Sequence, residues 1–204
     1  MKRYIISRKI DSLIWICLPV KGKSTEEVSI SMLLDDSILN DLAILVVDDE
    51  PDIIETVEDE LYMCILHKAE DYETASEYLA NYKYDIVILD IMGVNGFGLL
   101  KQSVSKGFPT VMLTAHALTP DALKKSIQLG AVFFLPKETL PELRFFLEEL
   151  VQNKFIPSWM TFLEKLSVYF NKYFGPNWKE KDQFFREFEE SLLKSENTTK
   201  REDI

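Results

Sequence analysis

Cysteine is scarce in this chain. Two cysteines, Cys17 and Cys64, in 204 residues cannot build a disulfide framework, and neither stands in a CxxC or Cys/His spacing. No zinc site is visible, and nothing calls for an oxidising compartment. Long apolar runs are also missing. Leu13-Ile14-Trp15-Ile16-Cys17-Leu18 falls far short of the ~20 apolar residues that a membrane span needs. It follows Lys2, Arg3, Arg8 and Lys9 as a weak signal peptide would, but Asp11 lies beside it and no small-x-small cleavage site follows. The reading is a poorly structured leader over residues 1–40, with Met32 as an alternative start, in a cytoplasmic protein without a membrane anchor. A basic segment is the third absence. Residues 1–40 carry a net +1, residues 41–150 a net −12 and residues 151–204 a net zero. None could track a phosphate backbone, so nucleic-acid binding is disfavoured.

What is present is the composition of a folding domain, with 47% hydrophobic and 28% charged residues. From Asp41 onward, short apolar runs alternate with amphipathic stretches. Leu42 to Val47 is a continuous run rich in β-branched residues that stops at Asp48-Asp49. Ile53, Ile54, Val57 and Leu61 recur at helix spacing across Asp52–Met63. Cys64–His67 is a weaker strand, and Ala75, Tyr78, Leu79 and Tyr82 mark a second helix. Asp85–Leu89 is a buried strand ending at Asp90. A glycine-containing turn then leads to a helix around Leu99, Leu100 and Val104. Pro109–Leu113 is the fourth strand, ending at Thr114; Pro120 opens a helix over Asp121–Leu129 that Gly130 closes. Ala131–Leu135 is the fifth strand, followed by Lys137, and Pro141 opens a helix through Leu143, Phe146, Leu147, Leu150 and Val151.

Strands that read as unbroken apolar runs are buried on both faces, which implies a parallel sheet with helices on each side. The fold class is α/β: a doubly wound five-stranded parallel sheet over residues 41–152, with a C-terminal helical extension over residues 153–204. Such sheets bind ligands beyond the carboxyl ends of their strands. Asp48-Asp49, Asp90, Thr114 and Lys137 each follow an apolar strand and therefore converge at one end of the sheet. Singly, such residues cap helices or are solvated; the convergence carries the argument. Two carboxylates ~4 Å apart repel by about 4 kcal/mol at an effective dielectric of ~20, so the cluster raises a carboxyl pKa or recruits a cation. An all-oxygen set suits Mg²⁺. Asp90, alone at the end of a central strand, is then the candidate nucleophile toward phosphorus. The cation, the Lys137 ammonium and the Thr114 hydroxyl would share the charge on the transferring group.

Residues Leu42 to Val151 resemble response-regulator receiver domains through Leu45-Val46-Val47-Asp48-Asp49-Glu50-Pro51, Ile88-Leu89-Asp90-Ile91-Met92, Met112-Leu113-Thr114-Ala115 and Phe134-Leu135-Pro136-Lys137. The resemblance implies a flavodoxin-like receiver. In it Asp49, Asp90 and the Met92 backbone carbonyl ligate Mg²⁺, with Asp48 acting largely through water. It further implies phosphotransfer from a histidine kinase or phosphotransfer protein onto Asp90, Thr114 bonding the phosphoryl group, Lys137 pairing with it, and Phe134 as a rotating aromatic switch. Such a domain is a phosphoacceptor rather than an enzyme in the ordinary sense. The chain departs from the pattern in two places. The turn Ile91-Met92-Gly93-Val94-Asn95 lacks a Met-Pro pair and is about two residues short, which could displace the following helix. Glu138 stands where a proline is common, so the usual cis peptide is not expected. Met92 should shield an acyl phosphate from water; His116 could assist a water or be a bystander.

The extension has no helix-turn-helix pattern and no basic face, so no DNA-binding output is expected. Its aromatic residues fall in two stripes, Ser158–Phe174 and Trp178–Leu192, separated by Gly175-Pro176, with a polar, frayed tail from Lys194. The stripes fit either a helical hairpin packed on its own domain or a surface for a homodimer or downstream protein. Two alternatives stand beside a phosphorylated switch. One is a degenerate receiver acting as an interaction module. The other, a haloacid-dehalogenase-like phosphatase, is disfavoured because Asp90-Ile91-Met92 lacks a second carboxylate.

Overall fold

The computed structural model describes residues 37–115, 117–156 and 159–202, with side chains through residue 194. The leader up to residue 36, Met32 and His116 lie outside the described residues. β1 (Ala43–Val47), β2 (Ile65–Ala69), β3 (Ile86–Asp90), β4 (Thr110–Thr114) and β5 (Phe133–Pro136) form one parallel sheet in the order β2-β1-β3-β4-β5. The order reverses at β1, which lies between β2 and β3, and such a reversal opens a crevice at the carboxyl ends. β3 and β4 are buried at every position. Their runs Ile-Val-Ile-Leu and Val-Met-Leu are apolar on both faces because helices cover both. β2, at the edge, is the weak strand, with Ile65 exposed.

The crossovers are α1 (Pro51–Glu60), α2 (Tyr72–Asn81), α3 (Gly96–Ser105), α4 (Pro120–Gln128) and α5 (Leu143–Gln152). α1 packs beside α5, and α2 packs beside α3. Local chemistry sets their starts. Pro51 and Pro120 occupy first-turn positions where no donor is lost. The Asp71 carboxylate accepts from Thr74 N at 2.7 Å, and the Thr119 hydroxyl accepts from Ala122 N at 3.1 Å. Pro141 behaves differently from its expected role. It sits inside a 3-10 turn over Lys137–Glu142, and α5 begins only at Leu143. Thr139 Oγ1 donates to the Pro136 carbonyl at 2.7 Å, which tightens the chain directly after β5. The Lys137–Glu138 bond, like every described peptide bond, is trans.

The segment before β1 is not peripheral. Leu39 is fully buried in the core, and Ser37 Oγ donates to Glu148 on α5 at 2.8 Å. Beyond α5, α6 (Trp159–Phe174) and α7 (Gln183–Glu202) follow, separated at Gly175, whose φ is +82°. The α7 backbone stays helical through Glu202, where the polar composition had suggested fraying from Lys194. The extension packs on its own domain. Phe162 meets Phe133 of β5 at 5.1 Å between ring centroids, and Lys165 Nζ pairs with Glu149 of α5 at 3.2 Å.

Candidate functional site

Strand register brings the acidic residues together. Val47 pairs with Leu89, so Asp48, one step further along β1, stands beside Asp90 at the end of β3. Thr114, the last residue of β4, pairs with Pro136, the last of β5, so Lys137 emerges one residue past the end of β5 at the same level of the sheet. Lys137 bridges the set, its Nζ lying 2.9 Å from Asp48 Oδ2, 3.2 Å from Asp90 Oδ1 and 2.7 Å from Glu50 Oε1. The lysine side chain is 8% exposed, and those of Asp48 and Asp90 are 1% and 4% exposed. This is an ion cluster held largely out of water. Glu50, by contrast, is 54% exposed.

Burial raises the Asp48 and Asp90 carboxyls above the usual carboxylate range, against the opposing pull of Lys137. For Lys137, burial alone would favour the neutral amine, but bonds to Asp48 and Glu50 outweigh it and hold the ammonium well above its ordinary range. Asp48 also accepts the Glu50 amide at 3.0 Å through Oδ1. Its Oδ2 lies within ion-pair distance of Lys137 yet has no hydrogen-bond partner in alignment. A buried carboxylate oxygen with a free lone pair is one that a hard cation could use. Among the described residues, no group of three or more Asp, Glu, His or Cys side chains stands ready to enclose a metal. The lysine ammonium is shared between the Asp48 and Asp90 carboxylates.

The open side is a cleft of about 190 Å³ lined by Asp49, Glu50, Asp90, Met92, Gly93 and Lys137. Its floor is a turn built for close approach. Gly93 has φ +53°, and a Cβ there would sit 2.1 Å from Asp49 Oδ1. A Cβ on Gly96 would lie 1.9 Å from the Asp90 carbonyl, so α3 can start against β3 only with glycine there. The short turn leaves its mark, because α3 departs from Asn95 in the left-handed conformation, φ +53°, with no side-chain cap. The Met92 carbonyl accepts the Val94 amide, while the Met92 side chain is 54% exposed at the cleft.

Lys137 thus contacts both Asp48 and Asp90, and Asp49 and Met92 line the cleft with Asp90 and Lys137. Thr114 and Phe134 stand differently. The Thr114 hydroxyl is fully buried and accepts the Ala117 amide at 2.9 Å, tying it to the loop after β4. Phe134 is also fully buried, its ring 6.4 Å from that of Phe170 on α6. Sequence reasoning missed two contributors: Glu50 as a third carboxylate on Lys137, and the close approaches at Gly93 and Gly96. Glu50 was legible as the acidic neighbour of Asp48-Asp49; the glycine contacts had no signal beyond the residue type.

The fold and site together define an α/β domain with an acidic, lysine-bridged cleft at the switch point of a parallel sheet. Residues 44–145 match the response regulator receiver domain family, and the chain belongs to that family, whose members work in two-component signalling. It is 35% identical over 105 residues to the response regulator GtcR of Aneurinibacillus migulanus, a match spanning 48% of this chain and 42% of that protein. The chain therefore aligns with less than half the length of that relative. The fold resembles the signal receiver domain of an HD domain-containing protein from Pseudomonas fluorescens Pf-5, with a TM-score of 0.51 and 24% identity, covering 56% of this chain and 97% of that one. It also resembles a two-component response regulator from Clostridium difficile, with a TM-score of 0.50 and 20% identity over 54% of this chain and 96% of that one. Among the described residues, no helix is long and apolar enough to cross a membrane.

Proposed function

We propose that this chain is a phosphorylated switch in which Asp90 accepts a phosphoryl group from a histidine kinase or phosphotransfer protein. A carboxylate oxygen of Asp90 attacks phosphorus, the bond from phosphorus to the donor nitrogen breaks, and the donor imidazole leaves while an acyl phosphate forms. The observation that carries this reading is the burial of Asp90 against Lys137 at the cleft floor, 3.2 Å apart. An ammonium so placed can follow the charge from the carboxylate to the new phosphoryl oxygens.

The oxygen-only donor set and the unused lone pair on Asp48 Oδ2 fit Mg²⁺. Asp48, Asp49, Asp90 and the Met92 carbonyl would hold it, with Lys137 giving way. When bound, the ion supplies Lewis-acid stabilisation of charge on the phosphoryl oxygens. Thr114, released from the Ala117 amide, would bond the phosphoryl group, and Phe134 would follow into the vacated space. Adding about −1.5 to −2 charges is enough to bias such a two-state element. Output would pass through protein contacts, including a possible homodimer, rather than through nucleic acid. The protein would act in the cytoplasm as a phosphoacceptor.

A second reading draws on the Met92 carbonyl, which is committed to a tight turn by the Val94 amide: a receiver that acts as an interaction module without phosphorylation. Acetyl phosphate with Mg²⁺, followed by a phosphate-affinity gel, separates the two. A shifted band lost in Asp90→Asn supports phosphotransfer. No shift from any phosphodonor, in protein that remains folded, supports the interaction module.

A further inference from the structure

The domain side of the extension's seat is formed by three receiver elements. On β5, Phe133 packs on Phe162 and Phe134 on Phe170. On α5, Phe145 and Phe146 lie under the Lys165 ammonium at 4.8 Å and 5.1 Å. On α4, Lys124 pairs with Asp182 at 3.3 Å and faces the ring of Phe184 at 5.3 Å. The segment from Trp159 to Phe184 therefore lies along the whole α4–β5–α5 face. The contacts at its heart form a ladder. Phe134 meets Phe170, Phe170 meets Trp178 at 4.6 Å, and Trp178 meets Phe185 edge-on at 4.9 Å. The ladder starts three residues before Lys137 on the same strand end, so cleft and extension share β5 as a common wall.

The seat has the marks of a contact that can open. The indole N–H of Trp178, whose ring packs against Phe170 and Phe185 of the extension, is buried with no acceptor, a cost carried within the docked extension. The flanking ion pairs, Lys124–Asp182 and Lys165–Glu149, are each about a quarter to two-fifths exposed and hold little by themselves. What remains is aromatic packing, and Phe170 receives part of it from Phe134. A ring that turns toward Thr114 withdraws that support and leaves a void beneath Phe170, which a close-packed interface tolerates poorly.

We propose that α6 and α7 form an intramolecular clamp on the α4–β5–α5 face, and that phosphorylation of Asp90 loosens it through Phe134. The inference rests on the phosphotransfer reading and adds to it the element that the switch controls. Linkage makes it reciprocal: whatever weakens the clamp favours the phosphorylated state by the same factor.

Hydrogen exchange on the full chain tests this, with and without Mg²⁺ and beryllofluoride as the acyl-phosphate mimic. Exchange in residues 159–174 and 183–194 is expected to speed up by about five-fold or more, with no change in Asp90→Asn. Two variants read the coupling from the other side. Phe170→Leu and Phe162→Leu should each raise the fraction labelled by acetyl phosphate at a sub-saturating dose, Phe162→Leu removing the contact with Phe133 while leaving the ladder from Phe134 to Phe185 in place in case Phe170→Leu fails to fold. If the protein is labelled on Asp90 but exchange in the extension does not change, the clamp is wrong and the phosphotransfer reading stands. If no label or beryllofluoride complex forms, both fall together. Slower exchange on beryllofluoride would also overturn the proposal, since the extension would then be tightened.

Discussion

Replacing Lys137 by methionine keeps most of the side chain's length and removes its charge. Two of the carboxylates it bridges, Asp48 at 2.9 Å and Asp90 at 3.2 Å, are almost entirely out of water. The third, Glu50, is 54% exposed and regains solvent at little cost. Removing one partner of a buried pair costs about 3–5 kcal/mol, a large part of the ~5–15 kcal/mol that holds a typical domain together. The loss must depend on pH in a definite direction. Burial already raises both carboxyls with Lys137 in place, and without the ammonium they rise further. A raised carboxyl favours the folded state below its unfolded value and loses that advantage as pH climbs through the folded one. The penalty of Lys137→Met is therefore greatest at high pH and shrinks as the pH is lowered and the stranded carboxyls take up protons. Urea unfolding of both proteins at several pH values, with EDTA present, measures it. Adding Asp90→Asn to Lys137→Met should recover part of the loss by removing one of the repelling charges. A loss under about 1 kcal/mol at pH 8, the size of an exposed pair, or one independent of pH, would refute the reasoning.

Three further outcomes follow from the cleft and the core. Gly93→Ala puts a Cβ 2.1 Å from Asp49 Oδ1 at φ +53°; it should cost about 1–2 kcal/mol from the left-handed backbone and weaken Mg²⁺ binding in a calorimetric titration, and unchanged values for both would contradict the geometry. Met92 overhangs the cleft as an exposed apolar side chain, so Met92→Asn should shorten the half-life of the acyl phosphate, measured by loss of label after the donor is removed; an unchanged half-life would end the idea that Met92 shields it. Burial pushes the Cys64 thiol up from 9.0 to about 11, and its Sγ bonds the Leu39 carbonyl at 3.4 Å. In a Cys17→Ser background at pH 8, alkylation by iodoacetamide should run about 100-fold slower in the folded protein than in urea, since only the thiolate reacts; similar rates would contradict the burial.

Much of the sheet was legible because its physics is local. A run such as Ile86-Val87-Ile88-Leu89 is apolar at every position, which only a strand buried on both faces requires, and such strands are parallel and helix-covered. Once the strands are in order, the register needs no further information: Asp48 and Asp90 must be neighbours because Val47 and Leu89 are. Boundaries were less legible where a side chain competes with the helix ladder. Pro141 looks like a helix start, but the Thr139 bond to Pro136 winds a 3-10 turn first and delays α5 to Leu143.

The parts that could not be read are those where two distant segments choose each other. Leu39 is as apolar as any leader residue, and only its seat in the core distinguishes it. The aromatic stripe of α6 is equally compatible with a partner's surface and with its own domain, because helical periodicity states which face is apolar and never what covers it. The choice is made by fit: Phe162 against Phe133, Phe170 against Phe134, Asp182 within reach of Lys124. Phe133 and Phe134 alternate across β5 as any strand residues do, yet both rings meet α6. That is possible because β5 is the edge strand of the sheet among the described residues. A helix lying along that edge can reach side chains from both faces. The same strand ends at Pro136, and the next residue, Lys137, meets Asp48 and Asp90, so the strand that seats α6 also leads into the acidic cluster.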